Sequence, residues 1–256
     1  MTNKSSILKK AASTLLAAAV WIGIWWLLSL KTGNEVLLPS PVSTVKTLFS
    51  LTVTGKFWLS CLYSFIRVAT GIVAGTAAGL ILAFAGAGAK IIKVVFSPIL
   101  SVIRATPAAS FIILALVWIG RGNVPAFTSF LMVMPVIFNS VTTAIEGTDR
   151  QLVEMTGVFR FSAAKKLKCL YIPSVMPSFF SGVTTSLGLA WKAGIAAEVI
   201  CNPEHGIGAA LYDSKVYLET PELFAWTSAV IIISMLSEKA VKLITAEVKK
   251  RNGDEK

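Results

Sequence analysis

The chain has 256 residues, of which 55% are hydrophobic and only 14% are charged, whereas an ordinary soluble domain carries about 25% charged residues. This composition excludes an ordinary soluble domain and indicates an all-α membrane protein, because several apolar stretches reach the roughly 20 residues that a helix needs to cross a bilayer. The formal net charge of +11 does not indicate nucleic-acid binding, because the basic residues gather in a few loops and at both ends.

Six apolar stretches predict six transmembrane helices, which would place both termini on the same side of the membrane. Most of the 24 Lys and Arg residues then lie in the inner loops and tails, so the positive-inside rule places both termini in the cytoplasm. We expect a cytoplasmic N-terminus at residues 1–10, one transmembrane domain at 11–247 and a cytoplasmic tail at 248–256. The predicted spans are about 11–30, 61–87, 91–119, 126–145, 174–200 and 224–244.

The first predicted span is too long for the apolar core of a signal peptide, which is about 7–15 residues, so we expect it to remain uncleaved. After it, Leu37–Pro41 (LLPSP) breaks any helix, because proline lacks an N–H and restricts the residue before it. Val42, Val45 and Phe49 then recur at helical spacing. This pattern indicates a helix along the outer interface; an irregular connector is the alternative.

The second predicted span carries glycine at every fourth position, at Gly71, Gly75 and Gly79. These glycines share one helix face, and the absence of side chains there lets another helix approach closely. The pattern predicts tight helix packing and says nothing about a ligand. Arg67 lies near the outer end of the span, where a long side chain reaches water.

The third predicted span contains Arg104 and Pro107 near its middle. An ionisable residue at membrane depth is costly and usually faces protein or water, and a proline beside it loosens the helix and frees backbone carbonyls. Two interpretations stay open: a kink that lines a transport path, or a buried structural arginine bonded to a neighbouring helix terminus.

The fourth predicted span contains Asn139, and the fifth contains Trp191, Lys192 and Glu198. Lys192 and Glu198 are six residues apart and do not share a helix face as an i,i+4 pair would. We therefore expect each to have a different partner. The sixth helix is expected to continue into the cytoplasmic tail.

Metal, disulfide and catalytic sites are not indicated. Cys61, Cys169 and Cys201 have no paired spacing, and the single His205 does not complete a metal-ligand set. Glu198 has no carboxylate companion nearby, which disfavours an intramembrane enzyme. The chain also lacks the Gly-x-x-x-x-Gly-Lys-Ser/Thr motif, so any ATP hydrolysis must come from a partner.

The long polar segment at residues 146–173 is the most informative stretch, because a turn between spans needs far fewer residues. Glu154 is followed nineteen residues later by Pro173 in the text Tyr-Ile-Pro. This spacing resembles the cytoplasmic signature of the permease subunits of binding-protein-dependent ABC importers. Further pieces, in order, resemble the nitrate/sulfonate/taurine branch of that family: LPSP, Ser64–Arg67 with Gly71, Pro98, Arg104 with Pro107, Phe138–Asn139, Trp191, Ala197–Glu198 and Gly206–Gly208.

This resemblance implies a type I ABC importer permease fold in the plasma membrane of a prokaryote. It implies a second permease subunit as partner, expected to be a homodimer, two cytoplasmic ATPase subunits that bind ATP and Mg, and an external binding protein that delivers the solute. No cofactor is expected on this chain itself, and membrane lipid is expected to surround it. The branch suggests a small, anionic solute such as a sulfonate, taurine or nitrate; a secondary transporter or channel that uses no ATPase is the alternative.

The resemblance also assigns residues. An amphipathic helix in the polar segment would dock on the ATPase, with the proline ending the docking element and beginning the fifth span; a basic loop bound to anionic lipid headgroups is the alternative. Arg160 stands where the signature has glycine, which implies either an unbroken helical turn there or a flexible point shifted to Gly157. The expected ATPase-coupling residues are Glu154, Gly157, Phe159, Arg160, Phe161, Leu167 and Pro173, and the expected path residues are Arg104, Pro107, Asn139, Trp191, Lys192 and Glu198.

Overall fold

The computed structural model describes residues 4–251, with the side chains of residues 12–14 and 16–247. This part of the chain is almost entirely helical and contains no strand, which confirms the all-α prediction. Residues 1–3 of the predicted N-terminal segment and 252–256 of the predicted tail lie outside the described residues. The helices are α1 (Lys4–Thr32), α2 (Pro41–Thr52), α3 (Gly55–Gly88), α4 (Lys90–Ala105), α5 (Ala108–Trp118), α6 (Val124–Glu146), α7 (Arg150–Val158), α8 (Ala163–Lys166), a π-helical stretch (Leu167–Tyr171), α9 (Ile172–Cys201), α10 (Ile207–Val216) and α11 (Thr220–Arg251).

Three helices within the described residues are long and apolar enough to cross a membrane: Ala12–Thr32 within α1, α3 and α6. They correspond to the first, second and fourth predicted spans. The pair α4 and α5 adds one more if it is taken as a single bent segment. Helices α9 and α11 lie where the fifth and sixth spans are predicted, but the total of six spans and the cytoplasmic side of the termini stay predictions.

The chain forms two compact units. The first contains the residues up to Leu59 together with Ala210–Val230. In this unit the LPSP stretch leads into α2, which confirms the helix predicted there, and the Ser40 side chain accepts a hydrogen bond from the Ser43 amide at 3.0 Å. A serine in this capping position satisfies a backbone N–H that has no partner within the helix.

The second unit, Ser60–Ala209 and the residues from Ile231 onward, contains the core of the molecule. Here Gly71, Gly75 and Gly79 of α3 lie directly against α6. A Cβ atom on these glycines would lie 2.4, 2.8 and 2.8 Å from backbone carbonyl oxygens of α6, so a side chain at any of them would push the helices apart. Helix α6 is also packed against α9, where the Ser129 hydroxyl donates to the carbonyl of Ala190 at 3.1 Å.

The third predicted span is interrupted in the middle. Helix α4 ends at Ala105, and the axes of α4 and α5 differ by 106° across the break. Thr106 is extended, with φ −81° and ψ 133°, because the ring of Pro107 disfavours a helical conformation in the residue before it. The sequence predicted a loosened helix at this point, and the structure has a complete break.

Candidate functional site

The polar segment between α6 and α9 folds into a short helix, a tight turn and a second helical stretch. Helix α6 ends at Glu146, and Asp149 begins α7 by accepting a hydrogen bond from the Gln151 amide at 2.8 Å. Within α7, Arg150 and Glu154 form an exposed ion pair at 3.0 Å. Exposed pairs of this kind contribute little to stability, so Glu154 remains available to a partner.

Arg160 occupies the position where the family signature has glycine, and its backbone is left-handed, with φ +49°. Helix α7 ends at Val158, the Arg160 amide donates to the Gly157 carbonyl at 3.0 Å, and the Phe161 amide donates to the Thr156 carbonyl at 2.9 Å. This pattern is a helix-ending turn that normally uses glycine. Neither arrangement expected from the sequence is found, because the turn stays at residue 160 while Gly157 is helical.

One side of α7 carries an exposed apolar stripe. Leu152, Met155 and Phe159 recur at helical spacing with exposed fractions of 43, 44 and 67%, and Val158 beside them is 81% exposed. Thr156 instead faces the protein and is buried. Exposed apolar side chains grouped in this way are typical of a surface that binds another protein. The sequence singled out only Phe159 of these four residues.

The sequence predicted that Pro173 ends the docking element, but the structure has no break at this residue. Helix α8, the π-helical stretch and α9 follow one another without an intervening turn, so helical backbone continues from Ala163 to Cys201. Pro173 lies in the first turn of α9, directly after the π-helical stretch, where the continuing helix lacks one backbone N–H donor. Phe161 is half-buried under the Lys165 ammonium, 4.2 Å from the ring centroid, and Leu167 is exposed.

Glu198 of α9 is fully buried and lies at the centre of a hydrogen-bonded network in the second unit. One carboxylate oxygen accepts from the Arg67 guanidinium at 3.0 Å, and the other accepts from the Ser64 hydroxyl at 2.6 Å and the Gly208 amide at 2.9 Å. Arg67 also donates to the carbonyl of His205. The charge of Glu198 is therefore balanced within the chain, as a buried carboxylate requires.

The loop after α9 closes over this carboxylate. The Ile207 amide donates to the Ser64 hydroxyl at 2.8 Å. A Cβ atom on Gly206, whose φ is +151°, would lie 2.7 Å from Glu198 Oε2, and one on Gly208 would lie 2.2 Å from Glu198 Cβ. Three pieces of the family pattern thus meet at one site and hold the loop against α3 and α9. They are Ser64–Arg67, Glu198 and Gly206–Gly208.

The remaining predicted path residues are dispersed over the second unit. Trp191 is buried, whereas Lys192 is exposed and forms no ion pair within the described part of the chain. Arg104 is exposed at the end of α4, with a long contact of 3.5 Å to the Ser101 hydroxyl. Asn139 is half-buried on α6, and Pro107 marks the break before α5. Glu198 and Trp191 are buried, whereas Arg104 and Lys192 are exposed.

Comparisons with known proteins agree with this architecture. The "Putative aliphatic sulfonates transport permease protein SsuC" of Bacillus subtilis is 26% identical over 239 residues, which are 92% of this chain and 86% of that protein. The "Taurine transport system permease protein TauC" of Escherichia coli is 21% identical, with 92% and 88% covered, and the "Nitrate import permease protein NrtB" of a Synechocystis strain is 23% identical, with 93% and 90% covered.

A solved structure has the same fold. The chain in "Crystal structure of an amino acid ABC transporter with histidines" superposes with a TM-score of 0.60 at 16% identity, covering 82% of this chain and 97% of the other. The model of the family described as "Binding-protein-dependent transport system inner membrane component" matches residues 71–250, which include α6, the polar segment and α9. This protein is therefore a member of the family of binding-protein-dependent transport system inner membrane components, that is, an ABC transporter permease.

Proposed function

We propose that this chain is the permease subunit of an ATP-driven importer for a small oxyanion of the sulfonate, taurine or nitrate type. The relatives named for aliphatic sulfonates, taurine and nitrate support this range of solutes. A second copy of the chain, two cytoplasmic ATPase subunits and an external binding protein complete the importer. ATP and Mg bind to the ATPase subunits.

The observation that carries the proposal is the apolar stripe on α7. Leu152, Met155, Val158 and Phe159 are exposed on a helix whose other residues are polar or face the protein. An amphipathic helix that lays such a face into a groove is a common mode of protein recognition. In our proposal the groove belongs to the ATPase, and the basic residues that follow α7 contact its rim.

The turn at Arg160 gives the docking helix a defined end. Helix α7 is capped at Asp149 and stopped at residue 160 by backbone hydrogen bonds, so a force on its apolar stripe is passed to α6 on one side and to α8 and α9 on the other. Since α6 and α9 pack against each other, movement of the docked helix would alter the helices that line the solute path.

Transport in proteoliposomes tests the proposal. The chain is reconstituted with its ATPase and binding protein, and uptake of labelled taurine, methanesulfonate and nitrate is measured with and without ATP. We expect uptake of at least one of these solutes to require ATP. Equal uptake without ATP, or by the chain alone, would identify a secondary transporter or channel instead.

A matched pair of variants tests the docking surface. Val158→Asp places a charge in the stripe and should abolish ATP-driven uptake while the chain still accumulates in membranes. Arg150→Gln changes an exposed residue on the opposite side of α7 and should leave uptake unchanged. Normal uptake by Val158→Asp would contradict docking through this face.

A further inference from the structure

A pocket between α6 and α9 is lined only by polar side chains. Its volume is about 360 Å³, and the residues that line it are Asn139, Ser140 and Thr143 on α6 and Ser178 and Ser181 on α9. Helix α6 is long and apolar enough to cross a membrane, and the pocket lies in its second half. Five hydroxyl and amide side chains facing hydrocarbon would be costly, so this pocket is built for water or a polar solute.

Several hydroxyl groups elsewhere on these helices are satisfied within their own helix. Thr128 donates to the carbonyl of Val124 at 2.8 Å, and Thr184 donates to that of Phe180 at 3.0 Å. Within the part of the chain that the structure describes, none of the five side chains that line the pocket has a hydrogen-bond partner. Their donors are therefore available to a ligand.

The surroundings of the pocket favour an anion over a cation. None of the five residues is acidic, and Glu146, which follows Thr143 on α6, is engaged with Lys93. The segment that joins α6 to α9 carries five basic and two acidic residues. A positive potential at this end raises the local concentration of anions, and the side chains that line the pocket offer a cation no carboxylate.

We propose that this polar pocket is a transit site for the oxyanion group of the transported solute, whose sulfonate or nitrate oxygens accept hydrogen bonds from the five side chains. The proposal rests on the proposed importer function. Hydrogen bonds to a charged acceptor are stronger than those between neutral groups, and the absence of a cationic side chain keeps the complex weak enough for the solute to leave, as conduction requires.

Protection of an introduced thiol tests the site. Ser181→Cys is made in the full chain with the exposed Cys169 replaced by serine; Cys61 and Cys201 are buried. In inside-out membrane vesicles, the rate at which the uncharged reagent methyl methanethiosulfonate modifies this thiol is measured with sodium methanesulfonate, sodium nitrate or tetramethylammonium chloride. Ser178→Cys is a second probe in case Ser181→Cys does not accumulate.

A transit site with a Kd of about 1 mM should slow the reaction about tenfold when the oxyanion is present at about 10 mM, and tetramethylammonium chloride should not slow it. Removing donors by Ser140→Ala with Thr143→Val should abolish the protection, whereas Thr184→Val, whose hydroxyl is already bonded within α9, should keep it. Absence of protection, equal protection by tetramethylammonium chloride, or protection that survives the loss of both donors would overturn the proposal.

The labelling experiment needs neither the ATPase nor the binding protein, so its result can contradict the pocket without contradicting the proposed importer function. Uptake that requires ATP without oxyanion protection would refute the pocket alone. Protection without ATP-driven uptake would refute the importer function and leave an oxyanion site in place.

Discussion

Replacing Glu198 by glutamine tests the buried network with almost no change in shape. The carboxylate is fully buried and accepts hydrogen bonds from Arg67, Ser64 and Gly208. Glutamine removes the negative charge and turns one of the two acceptor oxygens into a donor, so at least one of these three donors loses its acceptor. The Arg67 side chain, which is only 14% exposed, then keeps its positive charge without a counter-charge.

Breaking a buried ion pair from one side costs about 3–5 kcal/mol. Arg67 retains the His205 carbonyl and some contact with solvent, so we expect about 3 kcal/mol. For a chain of this size that corresponds to a fall in Tm of roughly 6–12 °C. The loop that contains Gly206 and Gly208 should loosen at the same time, because Glu198 anchors its backbone.

Thermal unfolding of the purified variant in detergent, followed by tryptophan fluorescence, measures this effect. Glu154→Gln is the matched control, because Glu154 is in an exposed i,i+4 pair worth about 0.5 kcal/mol or less. Hydrogen–deuterium exchange of the Ile207 and Gly208 amides should increase in Glu198→Gln only. A Tm equal to that of the unmodified chain, with unchanged exchange at these amides, would refute the idea that Glu198 holds the loop.

Two further predictions concern glycine and its replacement. Arg160→Gly should raise the Tm by a few degrees, because a left-handed backbone costs a non-glycine residue about 1–2 kcal/mol, partly offset by the entropy of glycine. Gln151→Gly inside α7 should lower the Tm, and a fall in Tm for Arg160→Gly would contradict the left-handed turn. Gly75→Ala should destabilise the protein by about 1–3 kcal/mol, because its Cβ would lie 2.8 Å from the Phe130 carbonyl oxygen. Gly188→Ala, where a Cβ would meet no atom within 4 Å beyond the adjoining backbone of its own helix, should be neutral or stabilising. Equal stability of the two alanine variants in thermal unfolding would show that α3 and α6 are not in close contact.

Local patterns in the sequence predicted the local features of the fold well. The LPSP stretch followed by apolar residues at helical spacing predicted α2, and the apolar stretches predicted the positions of α1, α3 and α6. These features depend on residues close together in the chain. Hydrophobic periodicity and proline chemistry report on them directly.

Features that depend on distant contacts could not be derived in the same way. The sequence indicated that Glu198 needs a partner, but Arg67 is 131 positions away, and nothing in the spacing of either residue points to the other. Leu152, Met155 and Val158 were not recognised as a surface, because an apolar residue on a helix has the same appearance whether it faces the core or a partner. The left-handed Arg160 was missed because the backbone hydrogen bonds that end α7 keep the turn at this position although an arginine stands there.

Contact between α7 and the ATPase is the central claim, and site-specific photo-crosslinking measures it most directly. A benzophenone amino acid is placed at Phe159, which is 67% exposed, and at Arg150 on the opposite side of the helix, and each variant is co-expressed with the ATPase and irradiated in membranes. Docking that buries the exposed part of Phe159 would stabilise the complex by about 2 kcal/mol, or about thirtyfold in affinity. We predict a crosslink to the ATPase from position 159 and little or none from position 150; equal crosslinking from both, or none from 159 in an assembled complex, would contradict docking through the apolar stripe.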